Sequence, residues 1–303
     1  MEKTIIKVGI PVSLLYHNYH ILWEHFLNEL GIEIIYSKET DNSLLEIGKS
    51  YAIDEACLPL KIYLGHIHYL IDKVDYILVP RITSLSKHSQ SCSNFYALYD
   101  IVNNLFNTKI IHYNIDYNIG LNEKKAFIKM GKDLGFKHKE IIHAYKKALR
   151  IVKRNKRHRL IKQNKLLESS KLKILLAGHP YNLYDKLIGY PIVKILNQID
   201  VEILYSDIYN EESNRYKEIS PHLSWTYNQD IINAMMYYLD NIDGIIMITS
   251  FPCGPDSLTN EMCLRKIKKP IINLVIDELS SEVDLETRIE SFIDIIKARV
   301  DNE

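Results

Sequence analysis

Short apolar runs and stretches of helical periodicity follow one another in the same order in each half of this chain. In the first half, apolar residues 4–10 precede a turn, a stretch with apolar positions at helical spacing, and a second apolar run at 32–36. The second half repeats the pattern with runs at 172–177 and 201–205. Strand, helix and strand in this order are typical of a βαβ unit, which requires a parallel sheet. The pattern therefore predicts an α/β fold.

The two halves also align with each other at a constant offset. Residues 9–37 match residues 178–206 without a gap, and most pairs that differ keep their apolar character. Such self-similarity indicates an internal duplication, with one parallel-sheet domain in each half. The identical pairs are Gly9/Gly178, Pro11/Pro180, Leu14/Leu183, Glu33/Glu202, Ile34/Ile203, Tyr36/Tyr205 and Ser37/Ser206.

A helical connector is predicted between the two halves. We place the first domain at residues 1–118, the connector at 119–171, and the second domain at 172–303 with a C-terminal amphipathic helix at 282–300 that packs on it. The connector contains helices at 122–135 and 139–165, the second ending in the basic run KRNKRHRLIKQNK. This run lacks interleaved aromatic residues, so a solvated connector is favoured over a nucleic-acid surface.

Charge and cysteine content narrow the functional classes. The 38 basic and 38 acidic residues balance, so no global field favours nucleic acid or an anionic membrane. The apolar run near the amino terminus is too short to span a bilayer and no small-residue cleavage site follows it, which predicts a cytoplasmic protein. The four cysteines include no CxxC pair and indicate metal, redox or buried thiols rather than a disulfide framework.

Three of these cysteines occur where a strand should pass into a loop or helix. Cys57, Cys92 and Cys253 lie in DEACLPLK, SCSNFYALYD and SFPCGPDS. Ligands of open α/β sheets bind at the carboxyl ends of strands, so the three thiols are candidates for one shared metal or iron-sulfur site. Each cysteine could instead be a small buried hydrophobe, and zinc is a rival metal although its usual short-spaced ligand pairs are missing. Cys263 falls on a helix and is favoured as a core residue over a fourth ligand.

Several polar neighbours are candidates for binding an anionic cofactor. Gly254 and Ser257 follow Cys253 at the start of a helix, where N–H groups stabilise negative charge, although Asp256 or Ser257 could simply cap that helix. Lys61 lies one helical turn after Cys57, and Arg81 follows the strand that leads to Cys92. Both could offset cluster charge or bind a CoA phosphate, and an ordinary exposed cation is an equal alternative.

The histidines offer one further candidate. His179 lies in a Gly-His-Pro turn at the carboxyl end of the first strand of the second half, where it could donate a hydrogen bond to a ligand. Its counterpart in the first half is Ile10, so the turn could need backbone shape alone. His66 and His68 are two apart on a predicted helix and face different directions, which argues against a joint metal site.

Several separated motifs, taken in order, give the chain a family resemblance. IKVGIPVSLLYHNYHILWEHFLNELGIEIIYS, DEACLPLKIYLGHIHYLIDKVDYILVPRI, CSNFYALYDIV, FPCGPDSLTNE and VIDELSSEVDLETRIESFI resemble the CoA-activase-related proteins of the 2-hydroxyacyl-CoA dehydratase superfamily. Two positions depart from the family pattern: Ser93 replaces an expected proline after the second cysteine, and Leu279 stands where many relatives carry a histidine. The second departure puts the role of that histidine in doubt.

The resemblance implies two Rossmann-like or flavodoxin-like domains and a 4Fe-4S cluster held by three cysteines, which here would be Cys57, Cys92 and Cys253. It also implies an anaerobic source and a partner, either an ATP-dependent activase or a dehydratase subunit. The protein would be either a dehydratase-type enzyme component acting on a 2-hydroxyacyl-CoA or a low-potential electron carrier. A non-redox module that binds a small molecule or thioester, and an assembly partner with structural thiols, are the alternatives. The chain shows no P-loop of its own.

Overall fold

The structure, a computed structural model, describes residues 5–210 and 214–300. The chain divides into two compact units. Unit 1 comprises Met1–Asn155 and Ser224–Thr226, and unit 2 comprises Lys156–Leu223 and Tyr227–Glu303. Thr4, where the first strand is predicted to begin, lies outside the described residues.

Unit 1 is built on a four-stranded parallel sheet with the order β2-β1-β3-β5. Strands β4 and β6 form a separate two-stranded parallel pair. The sequence predicted that one strand would lead directly to the Cys92 loop, whereas a further strand, β4, lies between β3 and that loop and pairs with β6. The strands are β1 (Lys7–Ile10), β2 (Glu33–Tyr36), β3 (Tyr76–Leu78), β4 (Arg81–Ser84), β5 (Ile110–Ile111) and β6 (Asn114–Asp116).

Aromatic side chains fill the core between the unit 1 helices and strands. Trp23 and Phe26 are buried on the first helix, and the Trp23 indole donates to the Tyr113 hydroxyl at 2.9 Å. Phe127, on the first predicted connector helix, contacts Phe26 edge to face at a centroid distance of 4.9 Å, so that helix packs into the unit 1 core. The unit 1 helices are α1 (Tyr16–Glu29), α2 (Asn42–Lys49), α3 (Leu58–Leu70), α4 (Ser93–Leu105) and α5 (Glu123–Asp133), with a 3₁₀ turn at Tyr117–Ile119. Helix α6 (His138–Leu166) begins in unit 1 and continues into unit 2 after Asn155.

Helices α2 and α3 meet at two glycines, and this contact fixes the helix that follows Cys57. A Cβ atom on Gly48 would lie 1.7 Å from the Lys61 carbonyl oxygen, and one on Gly65 would lie 1.9 Å from the Leu44 carbonyl oxygen. The two backbones are therefore too close for any larger residue at either position.

Unit 2 is built on a second four-stranded parallel sheet, with the order β10-β9-β7-β8. Strand β9 is buried along its whole length, as expected of a central strand covered on both faces. The elements are β7 (Lys173–Gly178), α7 (Pro180–Leu183), α8 (Gly189–Gln198), β8 (Glu202–Tyr205), α9 (Tyr216–Ile219), α10 (Thr226–Tyr238), β9 (Gly244–Ser250), α11 (Gly254–Lys266), β10 (Ile271–Ile276) and α12 (Glu282–Val300), with a 3₁₀ turn at Leu239–Asn241.

Taken in chain order, the strands of the two sheets follow one plan. In each sheet the first strand lies between the second and the third, and the last strand lies beyond the third. This order, 2-1-3-4, is that of the first four strands of a flavodoxin-like sheet. It confirms the predicted α/β class with parallel sheets. The internal duplication itself stays a prediction.

The two long helices also occur where the periodicity predicts them. Helix α12 has the predicted bounds, and its Phe292 and Ile296 side chains lie over Gly244 of β9. Within unit 2, the Gln163 side chain of α6 binds the outer edge of β8, where its amide accepts from the Tyr205 N–H and donates to the Tyr205 carbonyl, each at 2.9 Å. A side-chain amide here satisfies backbone groups that an edge strand would leave open. No helix among the described residues is long and apolar enough to cross a lipid bilayer.

Candidate functional site

All three predicted ligand cysteines occupy the same kind of position, the N-cap of a helix. Cys57 precedes α3, Cys92 precedes α4 and Cys253 precedes α11, and each has extended backbone dihedrals with no capping hydrogen bond from its side chain. All three are partly exposed thiols. The first-turn N–H groups of a helix carry partial positive charge, which favours a thiolate at this position.

Within unit 1, one side chain joins the Cys57 and Cys92 turns. Asn94 is the second residue of α4, two positions after Cys92, and its Nδ2 donates to the Cys57 Sγ at 3.4 Å. The start of one cysteine-capped helix is therefore within hydrogen-bond reach of the sulfur that caps the other. Sequence reasoning missed Asn94, although its place next to Cys92 in the motif was a signal that a polar side chain would lie at the helix start.

The two candidate cations of unit 1 already have protein partners. Lys61 is buried, contrary to the exposed alternative, and its Nζ donates to the Asp54 carbonyl oxygen at 2.8 Å. Arg81 begins β4, and its Nη2 donates to Asp100 Oδ2 at 2.5 Å. The Arg81 guanidinium also lies 5.3 Å from the centre of the Tyr99 ring. Both cations are therefore held by local structural contacts.

His66 is a buried core residue in unit 1. Ser37 Oγ lies 2.7 Å from its Nδ1, and Thr40 Oγ1 lies 3.1 Å from its Nε2. The Ser37 hydroxyl also accepts from the Val12 N–H at 2.8 Å, so this network joins the loops that follow β1 and β2 to helix α3. Burial, with a smaller effect of His17, lowers the pKa of His66 to about 3. His68 is exposed, so the two histidines do not form a joint site.

In unit 2, a charged network lies at the start of the helix that Cys253 caps. Asp256 Oδ1 accepts from His179 Nε2 at 2.8 Å and from Asn228 Nδ2 at 2.7 Å. The side chains of His179 and Asp256 are each only 5% exposed. Asn228, on α10, also donates to Thr259 Oγ1 at 3.1 Å. The sequence pointed to His179 and Asp256 separately, and it gave no signal for Asn228.

The electrostatic balance at Asp256 favours the carboxylate. Burial acts to raise its pKa, but the His179 charge and hydrogen bonds from His179, Asn228 and Cys253 outweigh that effect and hold the pKa below its ordinary value. The other ring nitrogen of His179, Nδ1, is buried and makes no hydrogen bond. His179 therefore directs its one polar contact toward Asp256.

The start of α11 differs from the capping alternative considered from the sequence. Cys253 is the N-cap, Gly254 is the first helical residue, and neither Asp256 nor Ser257 caps the helix. The Ser257 hydroxyl donates to the Cys253 carbonyl oxygen at 2.7 Å, and a Cβ atom on Gly254 would meet no neighbour. Ser257 thus fixes the backbone of the turn rather than the helix N–H groups.

Cys263 is a core thiol, as the sequence favoured. Its side chain is 1% exposed on α11, and burial raises its pKa to about 12. Among residues 5–210 and 214–300, no group of three or more His, Cys, Asp and Glu side chains is arranged to hold a metal ion. Cys57 and Cys92 belong to unit 1 and Cys253 to unit 2.

Comparison with known proteins identifies one family. A sequence profile described as "CoA enzyme activase uncharacterised domain" matches residues 7–208, about two thirds of the chain. This range contains Cys57, Cys92 and His179 and ends before Cys253. No curated protein matches the chain.

Solved structures show only remote likeness. The SBP FpvC from Pseudomonas aeruginosa, in complex with Mn²⁺, is 10% identical with a TM-score of 0.31, and the match covers 99% of this chain and 100% of that one. A mutant of the laminin-binding adhesin Lmb from Streptococcus agalactiae is 10% identical with a TM-score of 0.28, over 95% of this chain and 97% of that one. Scores at this level carry no argument about function.

Proposed function

The chain belongs to the family of the CoA enzyme activase uncharacterised domain, and from that premise we propose that it serves a dehydratase–activase system as an iron-sulfur protein. In this proposal Cys57, Cys92 and Cys253 supply three thiolates to one 4Fe-4S cluster. Such a cluster supplies one-electron chemistry at low potential, and three protein ligands leave one iron open. The physiological partner is an ATP-dependent activase or a dehydratase subunit.

The observation that carries the proposal is the hydrogen bond from Asn94 Nδ2 to Cys57 Sγ at 3.4 Å. This bond links the N-termini of α3 and α4 within unit 1, and its donor would point at a ligand sulfur. Such donors orient thiolates and tune iron-sulfur sites.

The donor set suits the group chemically. Thiolates are the soft ligands that iron-sulfur clusters select, and all three candidate sulfurs are partly exposed at helix N-termini, where negative charge is stabilised. Cys263 lacks these properties because it is buried and its pKa is raised. The residues would act by binding: Cys57, Cys92 and Cys253 as ligands, and Asn94 as a donor to sulfur.

One observation favours a second candidate function. No group of three metal-binding side chains occurs among the described residues. A non-redox module that binds a thioester or another small molecule, with structural thiols, agrees with that finding. This alternative predicts binding by protein that contains no iron.

The test is anaerobic reconstitution followed by iron, sulfide and zinc analysis and EPR. We expect about four irons per chain in the wild type and loss of the cluster in Cys57→Ala, Cys92→Ala and Cys253→Ala. Cys263→Ala is the matched control because it removes the fourth thiol from a buried position, and it should keep the full iron content.

Two results would contradict the proposal. The first is wild-type protein without iron after reconstitution, and the second is equal loss of iron in Cys263→Ala. Calorimetric titration of the iron-free protein with an acyl-CoA then tests the alternative function.

A further inference from the structure

A basic cavity lies at the carboxyl end of strand β8 in unit 2. Its volume is about 230 Å³, and its wall combines the unit 2 part of helix α6 with the loop that follows β8. The helix contributes Lys156, Arg157 and Arg159, and the loop contributes Asp207 and Asn210. Ligands of open α/β sheets bind outside the carboxyl ends of the strands, so the cavity lies where a ligand is expected.

A closed network of hydrogen bonds fixes Arg159 at this cavity. Its Nη2 donates to the Tyr184 hydroxyl at 2.5 Å and to Asp207 Oδ2 at 2.8 Å. The Tyr184 hydroxyl in turn donates to Asp207 Oδ1 at 2.5 Å, which closes the network. The Asp207 side chain is only 12% exposed, whereas that of Arg159 is 35% exposed. The guanidinium is therefore anchored in the fold and still accessible from solvent.

The cavity has cationic donors that the fold does not use. Arginine carries N–H donors on three nitrogens, and the network engages only Nη2 of Arg159. The Nε and Nη1 atoms of Arg159 make no hydrogen bond to residues 5–210 and 214–300, and the exposed Arg157 side chain makes neither a hydrogen bond nor an ion pair with them. Among the described residues that line the cavity, Asp207 is the one acid, and it already accepts from two donors. The chain has no formal net charge, so this excess of positive charge is local.

The size of the cavity indicates a charged group rather than a whole cofactor. Pockets that enclose entire small molecules have volumes of about 300–1,000 Å³, and this cavity, at about 230 Å³, is smaller. A phosphate group suits it, because phosphate oxygens accept two parallel hydrogen bonds from one guanidinium. The charge of a phosphate monoester is close to −2 at neutral pH, which matches two arginines better than the single charge of a carboxylate does.

We propose that this cavity binds a dianionic phosphate group, with Arg159 as the fixed bidentate donor and Arg157 as the second cation. Asp207 and Tyr184 orient the Arg159 guanidinium before the ligand arrives, which reduces the entropy lost on binding. The phosphate is either free in solution or carried at the end of a larger molecule. The inference goes beyond the proposed function, because no cysteine is among the described residues that line the cavity.

Arg157→Gln is the most direct test of the site. It removes one cation from the wall, and the fold should be unaffected because no described residue pairs with Arg157. Lys162→Gln is the matched control, since it removes one positive charge from an exposed position on the same helix that does not line the cavity. Titration calorimetry of full-length, iron-free protein with inorganic phosphate at low ionic strength measures the affinity. We expect binding about tenfold weaker in Arg157→Gln and unchanged in Lys162→Gln.

Two results would overturn the inference. The first is wild-type protein that binds no phosphate in this titration. The second is an equal loss of affinity in Arg157→Gln and Lys162→Gln, because the attraction would then come from the diffuse charge of the helix and not from the cavity.

Arg159→Lys tests the bidentate donor. Lysine keeps the charge but has a single ammonium group, which cannot bind Asp207, Tyr184 and a phosphate in the same geometry. We expect phosphate binding to weaken by about tenfold or more. Thermal unfolding in phosphate-free buffer checks that the variant is folded, and a folded Arg159→Lys with wild-type affinity would overturn the role of Arg159.

Two further ligands distinguish the sources of the phosphate. If the group is carried by CoA, then CoA should bind the wild type more tightly than inorganic phosphate does, and 3′-dephospho-CoA, which lacks the phosphate monoester, should bind about tenfold more weakly than CoA. If the site takes free phosphate, CoA should bind no more tightly than inorganic phosphate. Wild-type protein that takes up no iron on reconstitution would defeat the proposed function and would leave these titrations unaffected.

Discussion

The carboxyl ends of the two parallel sheets share a backbone plan and differ in the chemistry of their buried polar groups. In unit 1, the network consists of neutral partners, with His66 held between the hydroxyls of Ser37 and Thr40. In unit 2, it consists of a carboxylate and an imidazole, Asp256 and His179, with an amide as third member. The strand order is the same in both sheets.

This difference shows that the fold determines where the helix N-termini lie, whereas the loops determine which side chains surround them. Parallel sheets place the N-termini of the helices that follow their strands at the carboxyl edge, as for α11 after β9, whereas α4 follows β4 of the separate two-stranded pair and α3 follows α2. All three of these helices have a cysteine at the N-cap. Which cysteine has a charged neighbour depends on side chains in the loops and first turns, which the strand order does not determine. The unit 1 network joins the loops after β1 and β2 to helix α3, whereas the unit 2 network joins the turn after β7 and helix α10 to the first turn of α11.

The largest difference that we predict between the two networks is in how much the free energy of unfolding falls when one member is removed. Asp256→Ala leaves a buried imidazole and a buried amide without their acceptor, and we expect it to lower the free energy of unfolding of unit 2 by about 3–5 kcal/mol. Ser37→Ala removes a neutral hydroxyl from the His66 network, and we expect it to lower the free energy of unfolding of unit 1 by about 1–2 kcal/mol. Hydrogen exchange of peptides from β7 and β9, compared with peptides from β1 and β3, measures each unit separately.

Equal costs for the two substitutions would remove the distinction between a charged and a neutral network. Thr40→Val provides a second variant in unit 1, because it removes the other hydroxyl that contacts His66 and keeps the branched shape of the side chain. Its cost should be similar to that of Ser37→Ala and well below that of Asp256→Ala.

Acid should weaken unit 1 before it affects the Asp256 network. The pKa of His66 falls from 6.5 to about 3 on folding, mainly because of burial, so between these values the unfolded chain binds a proton that the folded chain does not. Stability is therefore full above pH 6.5 and is lost as the pH falls, by about 1.4 kcal/mol per pH unit from this residue. His17, whose pKa is lowered to about 4 by burial and by His20, acts in the same direction.

The corresponding window for Asp256 lies lower. Its pKa is below the ordinary 3.8, so its contribution is present above that value and is lost only as the pH falls through the folded pKa. Urea unfolding at pH 7 and pH 5, followed by tryptophan fluorescence, tests unit 1 because Trp23 and Trp225 both belong to it. His66→Asn should flatten the pH slope, while His68→Asn, on the exposed face of the same helix, should leave it unchanged.

Much of the fold could be predicted because local patterns determine it. The apolar runs that became β1, β2, β7 and β8, and the helical periodicity of α5, α6 and α12, agree with the structure to within a few residues. The short strands β4, β5 and β6 were not predicted, because two to four residues are too few to show a periodicity. Of the three cysteines that were predicted to follow strands, Cys92 and Cys253 do follow β4 and β9, whereas the prediction is wrong for Cys57, which follows helix α2 and an irregular segment.

The polar networks could not be predicted from local patterns, because their members are far apart in the chain. His179 and Asp256 are 77 positions apart, and Ser37 and His66 are 29 apart. Single residues at these positions were recognisable as candidates, but only the packing of one element against another selects the partner. Asn94 and Asn228 were missed for the same reason, since an isolated asparagine has many possible roles.

The smallest effect should come from Arg81, the unit 1 cation considered as a partner for cluster charge. Its ion pair with Asp100 is partly exposed, with 24% of the Arg81 side chain and 54% of the Asp100 side chain accessible, so solvent screens the attraction. Arg81→Lys keeps the charge and loses the planar contact with Tyr99, and we expect it to cost about 0.5–1 kcal/mol. Urea unfolding of the variant beside wild type measures this cost.

The iron content of Arg81→Lys after reconstitution should equal that of the wild type, because the guanidinium already binds Asp100. A loss of iron in Arg81→Lys comparable to that in Cys92→Ala would instead assign Arg81 to the cofactor and give unit 1 a charged group of its own next to a cysteine, which would end the contrast between the two sheet edges.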